Sequence, residues 1–249
     1  MIKKRAERLS LTFPGARSFY IIGDIAIITP KDVEVDYVKL AKKIIENHPR
    51  IKAVYLKKRV SGEYRTNELE FLYGEKKSDT IYKENGVKFY VNLLEVYVNP
   101  SLSRDRAKNL EMINNQKTIL DAYTGYGAIA LNIIHKMKVY VIAGDINING
   151  LYMLKKSLSL NKFKGMVDIV NYDANFLPFR DKAFEITFAD NPTMVVYHKH
   201  ELCRVSKDVV FYILTNSEED ARDKLGNTEW IKIKDYSKNL FIFKGLVRC

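Results

Sequence analysis

The sequence predicts an α/β protein with a mostly parallel sheet, preceded by a small α+β region. Three observations predict it. From about Thr118 onward, β-branched and aromatic runs alternate with helical apolar faces, the pattern of parallel strands joined by crossover helices. The last two strand runs are separated only by DYSKN, too short for a crossover, so they should pair as an antiparallel hairpin. The stretch Thr118 to Leu131, TILDAYTGYGAIAL, runs apolar to Asp121, turns through Gly125 and Gly127, and resumes as an apolar helical segment. Such a strand–turn–helix lets an adenosine-type ligand approach the backbone and meet the free N–H groups of a helix start.

Ahead of that region, strand-like pieces surround one helix. Phe19 to Ile28, FYIIGDIAII, breaks at Gly23–Asp24 and reads as two strands or one bulged strand. Val38, Leu40, Ala41, Ile44 and Ile45 form a helical apolar face. Val54–Leu56, Leu69–Leu72, Val87–Val91 and Val96–Val98 are short strand candidates. In the alternating region, strand 119–123 leads to a helix near 128–136. Strand 139–144 leads to a helix near 149–161, with Leu151, Leu154 and Leu158 on one face. Further strands are expected at 167–170, 185–189, 209–214, 230–234 and 240–247.

Composition narrows the class. Of 249 residues 47% are apolar, enough for a proper core and against disorder. A formal charge of +11 favours a polyanionic partner, nucleic acid ahead of an acidic membrane surface; a merely Lys-rich surface is the plainer reading. Cys203 and Cys249 form no metal-ligand cluster, and a chain of this size needs no disulfide framework, so a reducing compartment is expected. His198 and His200 lack a fourth ligand and read as a solvated helix face. The basic N-terminus, MIKKRAERLS, is not followed by an apolar signal segment. No run approaches the roughly 20 apolar residues of a membrane span. The expectation is a soluble, cytoplasmic protein with no membrane partner.

Four acidic residues fall at successive strand ends. Asp121 closes the first strand of the alternating region. Asp145 ends the second, where a carboxylate can accept both hydroxyls of a ribose; nearby Asn147 is placed to cap the next helix. Asp173 follows the third, where a carboxylate can accept from an adenine amino group, and Asp190 follows the fourth. The plain reading of any one is a loop residue or a helix cap. All four in the order ribose, adenine, reaction centre point to S-adenosylmethionine. A dinucleotide is the rival ligand. Against it, the Tyr123–Gly127 turn lacks the third glycine of G-x-G-x-x-G, although Ala130 can stand in, and no GK[ST] follows to make a phosphate-cradling loop.

A parallel sheet finished by an antiparallel strand looks like the S-adenosylmethionine methyltransferase (Rossmann-like) fold. The chain resembles the archaeal and eukaryotic tRNA (guanosine-37 N1) methyltransferases and their relatives, the aminocarboxypropyl transferases of wybutosine synthesis. The resemblance runs from about Phe13 to the C-terminus. Its residues are SFYIIGDIAII, GEYR at 62–65, YKENGVKFYVNLLEVYVNPSLSRDR at 82–106, DAYTGYGAIAL, and DNP at 190–192. It implies an α+β RNA-facing domain over residues 1–100 and an S-adenosylmethionine-dependent methyltransferase domain with a seven-stranded sheet over 101–249. It further implies a monomer acting on the anticodon stem-loop of tRNA, with no membrane involved.

The resemblance also implies roles. Arg65 matches an arginine that assists the target guanine, Asp105 stands where the family has a glutamate proposed as general base, and Arg106 matches an arginine beside the cofactor. Asp190, Asn191 and Pro192 stand where the family's methyltransferases have an N-L-P tripeptide. Asp121, Tyr123, Gly125, Gly127, Asp145, Ile146, Asp173, Ala174 and Asp190 complete the expected cofactor set. The chemistry gives these roles a reason. Guanine N1 carries a proton and is a poor nucleophile until a carboxylate takes it. Charge then develops on O6, where a guanidinium stabilises it. Asn191 would fix the pose of the base, and Tyr197 is a candidate for stacking on it. Each role has a plain counterpart: Arg65 as a surface arginine, Asp105 as an ion-pair partner within SRDR, Pro192 as a strand stop.

The departures matter. Aspartate at 105 is one methylene shorter than glutamate, Ser101 stands where an arginine is usual, and DNP leaves open whether Asp190 or Asn191 takes the asparagine position. Methylation of guanosine 37 at N1 is the leading expectation, favoured by Pro192. Aminocarboxypropyl transfer and a catalytically silent RNA-binding paralogue are the alternatives.

Overall fold

The computed structural model describes residues 18–30, 35–61, 66–113 and 118–249. They divide into two compact units, one over the chain to residue 84 with 88–100, the other over 85–87 with 101–249.

The first unit holds a four-stranded sheet. The Gly23–Asp24 break separates two antiparallel strands, β1 (Ser18–Ile22) and β2 (Ile25–Thr29). Helix α1 (Tyr37–Asn47) is capped by Asp36, whose side chain accepts from the Lys39 amide at 2.9 Å. It returns the chain so that β3 (Ala53–Ser61) lies parallel to β2, and β4 (Thr66–Gly74) pairs antiparallel to β3. Leu40, Ala41 and Ile44 pack with Ala26, Ile28 and Val54. Val38, assigned to this face by its spacing, is instead 46% exposed, because it lies on the far edge of the helical stripe. A hairpin of β5 (Asp79–Glu84) and β6 (Val87–Asn92) follows. The sequence reading missed β5, whose buried positions Thr80, Tyr82 and Glu84 include one apolar residue. Val96–Val98, expected as a strand, has no ladder partner; Val96 and Val98 are buried in an irregular segment.

A 3₁₀ turn (Pro100–Leu102) leads into the main part of the second unit, which continues with the short helix α2 (Ser103–Lys108). Then come β7 (Thr118–Asp121), α3 (Ala128–Lys136), β8 (Tyr140–Asp145), α4 (Ile148–Ser159) and β9 (Met166–Asn171). They are followed by β10 (Phe184–Ala189), α5 (Val195–Val205), β11 (Ser206–Thr215), α6 (Glu218–Leu225), β12 (Trp230–Ser237) and β13 (Leu240–Arg248). The seven strands order as β12-β13-β11-β10-β7-β8-β9, and β13 is antiparallel to both its neighbours, toward β12 as the short final connection requires. The strand order reverses between β7 and β10, which makes the carboxyl edge there the crevice of an open α/β sheet. Registers Phe188↔Asp121 and Asp121↔Ala143 bring the ends of β10, β7 and β8 to that one edge.

Cys203, on α5, and Cys249, after β13, are joined by a disulfide. The sequence reading, which saw no need for a disulfide in a chain of this size, did not foresee it: β13 runs back beside β11 and ends next to the last turn of α5, a proximity that spacing alone does not reveal. No helix among the described residues is long and apolar enough to cross a membrane.

Candidate active site

The centre of the carboxyl edge is the loop between β7 and α3. Helix α3 starts at Gly127, whose φ of +89° is left-handed and has no side chain to cap the first turn. Asp121 supplies the cap. Its Oδ2 accepts from the Ala130 amide at 2.9 Å and from Thr124 Oγ1 at 2.8 Å. Oδ1 is buried with no partner, and a buried carboxylate oxygen without one is costly. Burial chiefly, with Asp190 and Asp145 adding repulsion, pushes the Asp121 carboxyl up to about 7. Gly125, with φ +52°, opens onto free space where a side chain would project.

Asp145 ends β8 beside this loop. Oδ2 accepts from the Gly125 amide at 2.7 Å and Oδ1 from the Asn147 amide at 2.8 Å. Burial raises its pKa against the pull of those hydrogen bonds. Asn147 caps α4, as its place in the sequence suggests, by accepting from the amides of Asn149 and Gly150. Beyond β9, Asp173 is exposed and accepts from the backbone and side chain of Asn175, which hold its pKa below the usual carboxylate range. Ala174 is buried, whereas Ile146 and Phe176 are exposed, Phe176 by 82%. An orphaned carboxylate oxygen, open space over Gly125 and exposed apolar side chains near two carboxylates suit a ligand with a cation, a sugar and an aromatic base.

At the end of β10, Asp190 and Asn191 are half-buried and Pro192 is buried. The Asn191 carbonyl accepts from the amides of Met194 and Val195 and so starts α5. The Pro192 carbonyl accepts from Leu214 at 2.9 Å, tying this turn to β11. Tyr197 is 77% exposed on the first turn of α5.

His198 is not on a solvated face. It is 7% exposed, stacked on Tyr123 with ring centroids 6.0 Å apart, and its Nδ1 lies 2.8 Å from the Tyr123 hydroxyl. Burial lowers its pKa, with Asp173 opposing, and raises that of Tyr123. The correction has a simple cause: α5 packs on the sheet through Val195, His198, Leu202 and Val205, and the i, i+3 spacing puts the histidine on that stripe. His200 is exposed, and no metal-binding cluster exists among the described residues.

Asp105 lies on α2, 8% exposed. Lys244 of β13 donates to its Oδ1 and Tyr212 of β11 to its Oδ2, each at 2.6 Å. Asn109 joins them, accepting from Lys244 at 3.0 Å and donating to the Tyr212 hydroxyl at 3.0 Å. Burial, with Asp105 and Asp190 beside it, drives the Tyr212 pKa well above its ordinary value. Sequence reasoning did not find Lys244 or Tyr212. A signal existed: in NLFIFKGLV a lysine interrupts an apolar strand, which implies a buried anion opposite it. Arg106, next along α2, is 4% exposed. Arg65 and its GEYR motif lie outside the described residues.

Known proteins share this architecture. The structure of aTrm5 with tRNALeu superposes with a TM-score of 0.81 at 23% identity, over 99% of this chain and 78% of that one. TYW2 of P. horikoshii in complex with MeSAdo gives 0.80 at 17% identity, over 96% of each. The fold is thus that of the S-adenosylmethionine methyltransferases. In sequence, the tRNA (guanine(37)-N(1))-methyltransferase Trm5b of Pyrococcus abyssi is 34% identical over 155 residues, 61% of this chain and 47% of that protein. The chain spans about half the length of such curated relatives. A family described as TYW2 N-terminal domain matches residues 10–77. A family described as TRM5/TYW2 methyltransferase domain matches residues 80–232, well over half of the sequence, and the chain belongs to that family.

Proposed function

We propose that the protein is an S-adenosylmethionine-dependent tRNA methyltransferase that modifies N1 of guanosine 37, beside the anticodon. The observation that carries the reading is the row of carboxylates at one sheet edge, with an orphaned Asp121 oxygen over a glycine-opened loop. In this reading Asp145, already held by the Gly125 amide, would accept from the ribose hydroxyls, Ile146 and Ala174 would flank the adenine, and Asp173 would accept from its amino group. Asp121, Tyr123, Gly127 and Arg106 would hold the amino-acid end. When bound, the cofactor supplies an electrophilic methyl on a sulfonium. Asn191 holds the base edge, Pro192 fixes the turn, and Arg65 stabilises charge on O6. The anticodon stem-loop is the substrate of a monomer whose cationic surface binds its phosphates; the charge of +11 supports this.

The match of residues 10–77 to a TYW2 N-terminal domain favours a second reading, aminocarboxypropyl transfer from the same cofactor to a modified guanosine. Incubation with tRNA and S-adenosylmethionine, followed by mass spectrometry of the nucleosides, separates the two. A gain of one methyl on guanosine supports the first, an aminocarboxypropyl gain the second, and no gain overturns both.

A further inference from the structure

Resting on the reading of the β7–α3 loop as the cofactor loop, we propose that His198 is a positioning residue for S-adenosylmethionine: its neutral imidazole holds the Tyr123 phenol and ties that loop to the helix after the Asn191–Pro192 turn. The loop backbone is pinned on both sides of Tyr123. The Ala122 amide donates to the Phe188 carbonyl of β10 and the Thr124 amide to the Gly144 carbonyl of β8, each at 2.9 Å. Those bonds fix the chain at residues 122 and 124 and leave the Tyr123 ring to be set by its own contacts. His198 supplies them. Its Nδ1 lies 2.8 Å from the Tyr123 hydroxyl, and the two rings are within 18° of parallel. Around it on the same stripe of α5, Val195, Leu202 and Val205 are fully buried, so the imidazole has little room to turn away. The helix that carries it starts at the Asn191 carbonyl. One side-chain hydrogen bond therefore joins the loop at the cofactor end of the crevice to the turn after β10.

Chemistry sets the direction of that bond. The phenol has one proton to give, and burial, with Asp145 and Asp173 adding repulsion, keeps it in place. A neutral imidazole has one bare nitrogen that accepts, whereas an imidazolium has two N–H donors and no acceptor. Nδ1 thus accepts from Tyr123, the ring proton sits on Nε2, and protonating Nδ1 sets a donor against a donor. Burial lowers the His198 pKa, with Asp173 beyond β9 opposing, so the neutral form prevails near neutrality. Asp145, at the end of β8, acts on the Tyr123 side of the pair. Charged groups on the other elements packed against α5 are engaged elsewhere. Glu185 and Asp208, near the starts of β10 and β11, pair with Lys207 and Arg248. On α6, Glu218 and Asp220 pair with Arg222 and Lys224. On α5 itself Glu201 pairs with Arg204, and His200 is exposed.

The test is calorimetry of S-adenosylmethionine binding between about pH 8 and about pH 5, on the unaltered chain, Tyr123→Phe, His198→Phe and His198→Asn. His198→Phe keeps a ring and removes the acceptor; His198→Asn keeps an acceptor near the place of Nδ1 and does not titrate. Both phenylalanine variants should bind about three- to ten-fold more weakly at the alkaline end, the worth of one hydrogen bond, and His198→Asn should restore most of that loss. On acidification the unaltered chain should lose affinity relative to His198→Asn, because only its acceptor is protonated. The ratio of the two affinities cancels Asp121 and Asp145, which titrate in both chains. His198→Phe binding as tightly as the unaltered chain, or a ratio constant across the range, overturns the assignment. A second readout uses the unaltered chain alone. In an NMR titration of the imidazole, bound S-adenosylmethionine should lower the His198 pKa, since a ligand that prefers the neutral form must favour it reciprocally. A His198 pKa that the cofactor leaves unmoved overturns the assignment equally. An unaltered chain that binds no S-adenosylmethionine at any pH would be seen first and separately, and would overturn the cofactor reading beneath it.

Discussion

Asp145 carries two backbone hydrogen bonds, at 2.7 and 2.8 Å, that position it before any ligand arrives. Asp145→Ala should weaken S-adenosylmethionine binding by about ten-fold or more, since hydrogen bonds to a charged group contribute roughly 1.5–3 kcal/mol; calorimetry giving an unchanged affinity would refute the ribose role. Asp121 makes a prediction about pH. Its carboxyl is raised from an ordinary 3.8 to about 7 by burial. The folded chain therefore holds a proton that the unfolded chain has lost, and the stabilisation is present below about pH 4 and lost as pH rises through about 7. Asp121→Asn, which does not titrate, should remove that pH dependence; the difference between the two unfolding curves should change by up to the order of 4 kcal/mol across the window. A constant difference would mean that Asp121 is ionised throughout. These two residues were legible in the sequence because a strand end and a glycine turn are local signals. Lys244, Tyr212 and His198 were not, because each takes its role from a partner far along the chain: Lys244 meets Asp105 across 139 positions.

At the scale of elements, the disulfide spans a sequence separation of 46 residues, and the loop it closes holds β11, α6, β12 and all of β13. Closing a loop of that size stabilises by about 2–4 kcal/mol, mainly by restricting the unfolded chain. Cys249→Ser should therefore lower the urea midpoint, and a reducing agent should do the same to the unaltered chain while leaving the variant unmoved. If the reductant has no effect on the unaltered chain, the crosslink does not contribute. Elements with a strong period, such as α3, α4 and the final hairpin, followed from pattern alone. The pattern failed where burial and regular structure part company: Val96 and Val98 are buried without a ladder, and β5 forms a ladder with little apolar content. Periodicity reports which face is buried, and only indirectly whether the backbone there is paired.

At the scale of the whole molecule, the sheet order β12-β13-β11-β10-β7-β8-β9 places strands side by side that are not neighbours in sequence. The alternation of strands and helices implied a parallel sheet, but which strand sits at the switch point is a long-range choice that local patterns do not encode. Net charge is different, because it is a sum and needs no pairing. With +11 overall, association with a polyanion should be dominated by release of condensed counterions. The affinity for tRNA should therefore fall linearly with salt on logarithmic axes, by roughly 0.7 to 0.9 per neutralised phosphate as for other nucleic acids. S-adenosylmethionine carries little net charge and binds through a few local groups, so its affinity should change little over the same range. Parallel titrations from low to moderate salt, read by filter binding for tRNA and by calorimetry for the cofactor, test the contrast directly. A tRNA complex as insensitive to salt as the cofactor complex would show that the excess charge is not a phosphate-binding surface, and RNA recognition would have to rest on base contacts instead.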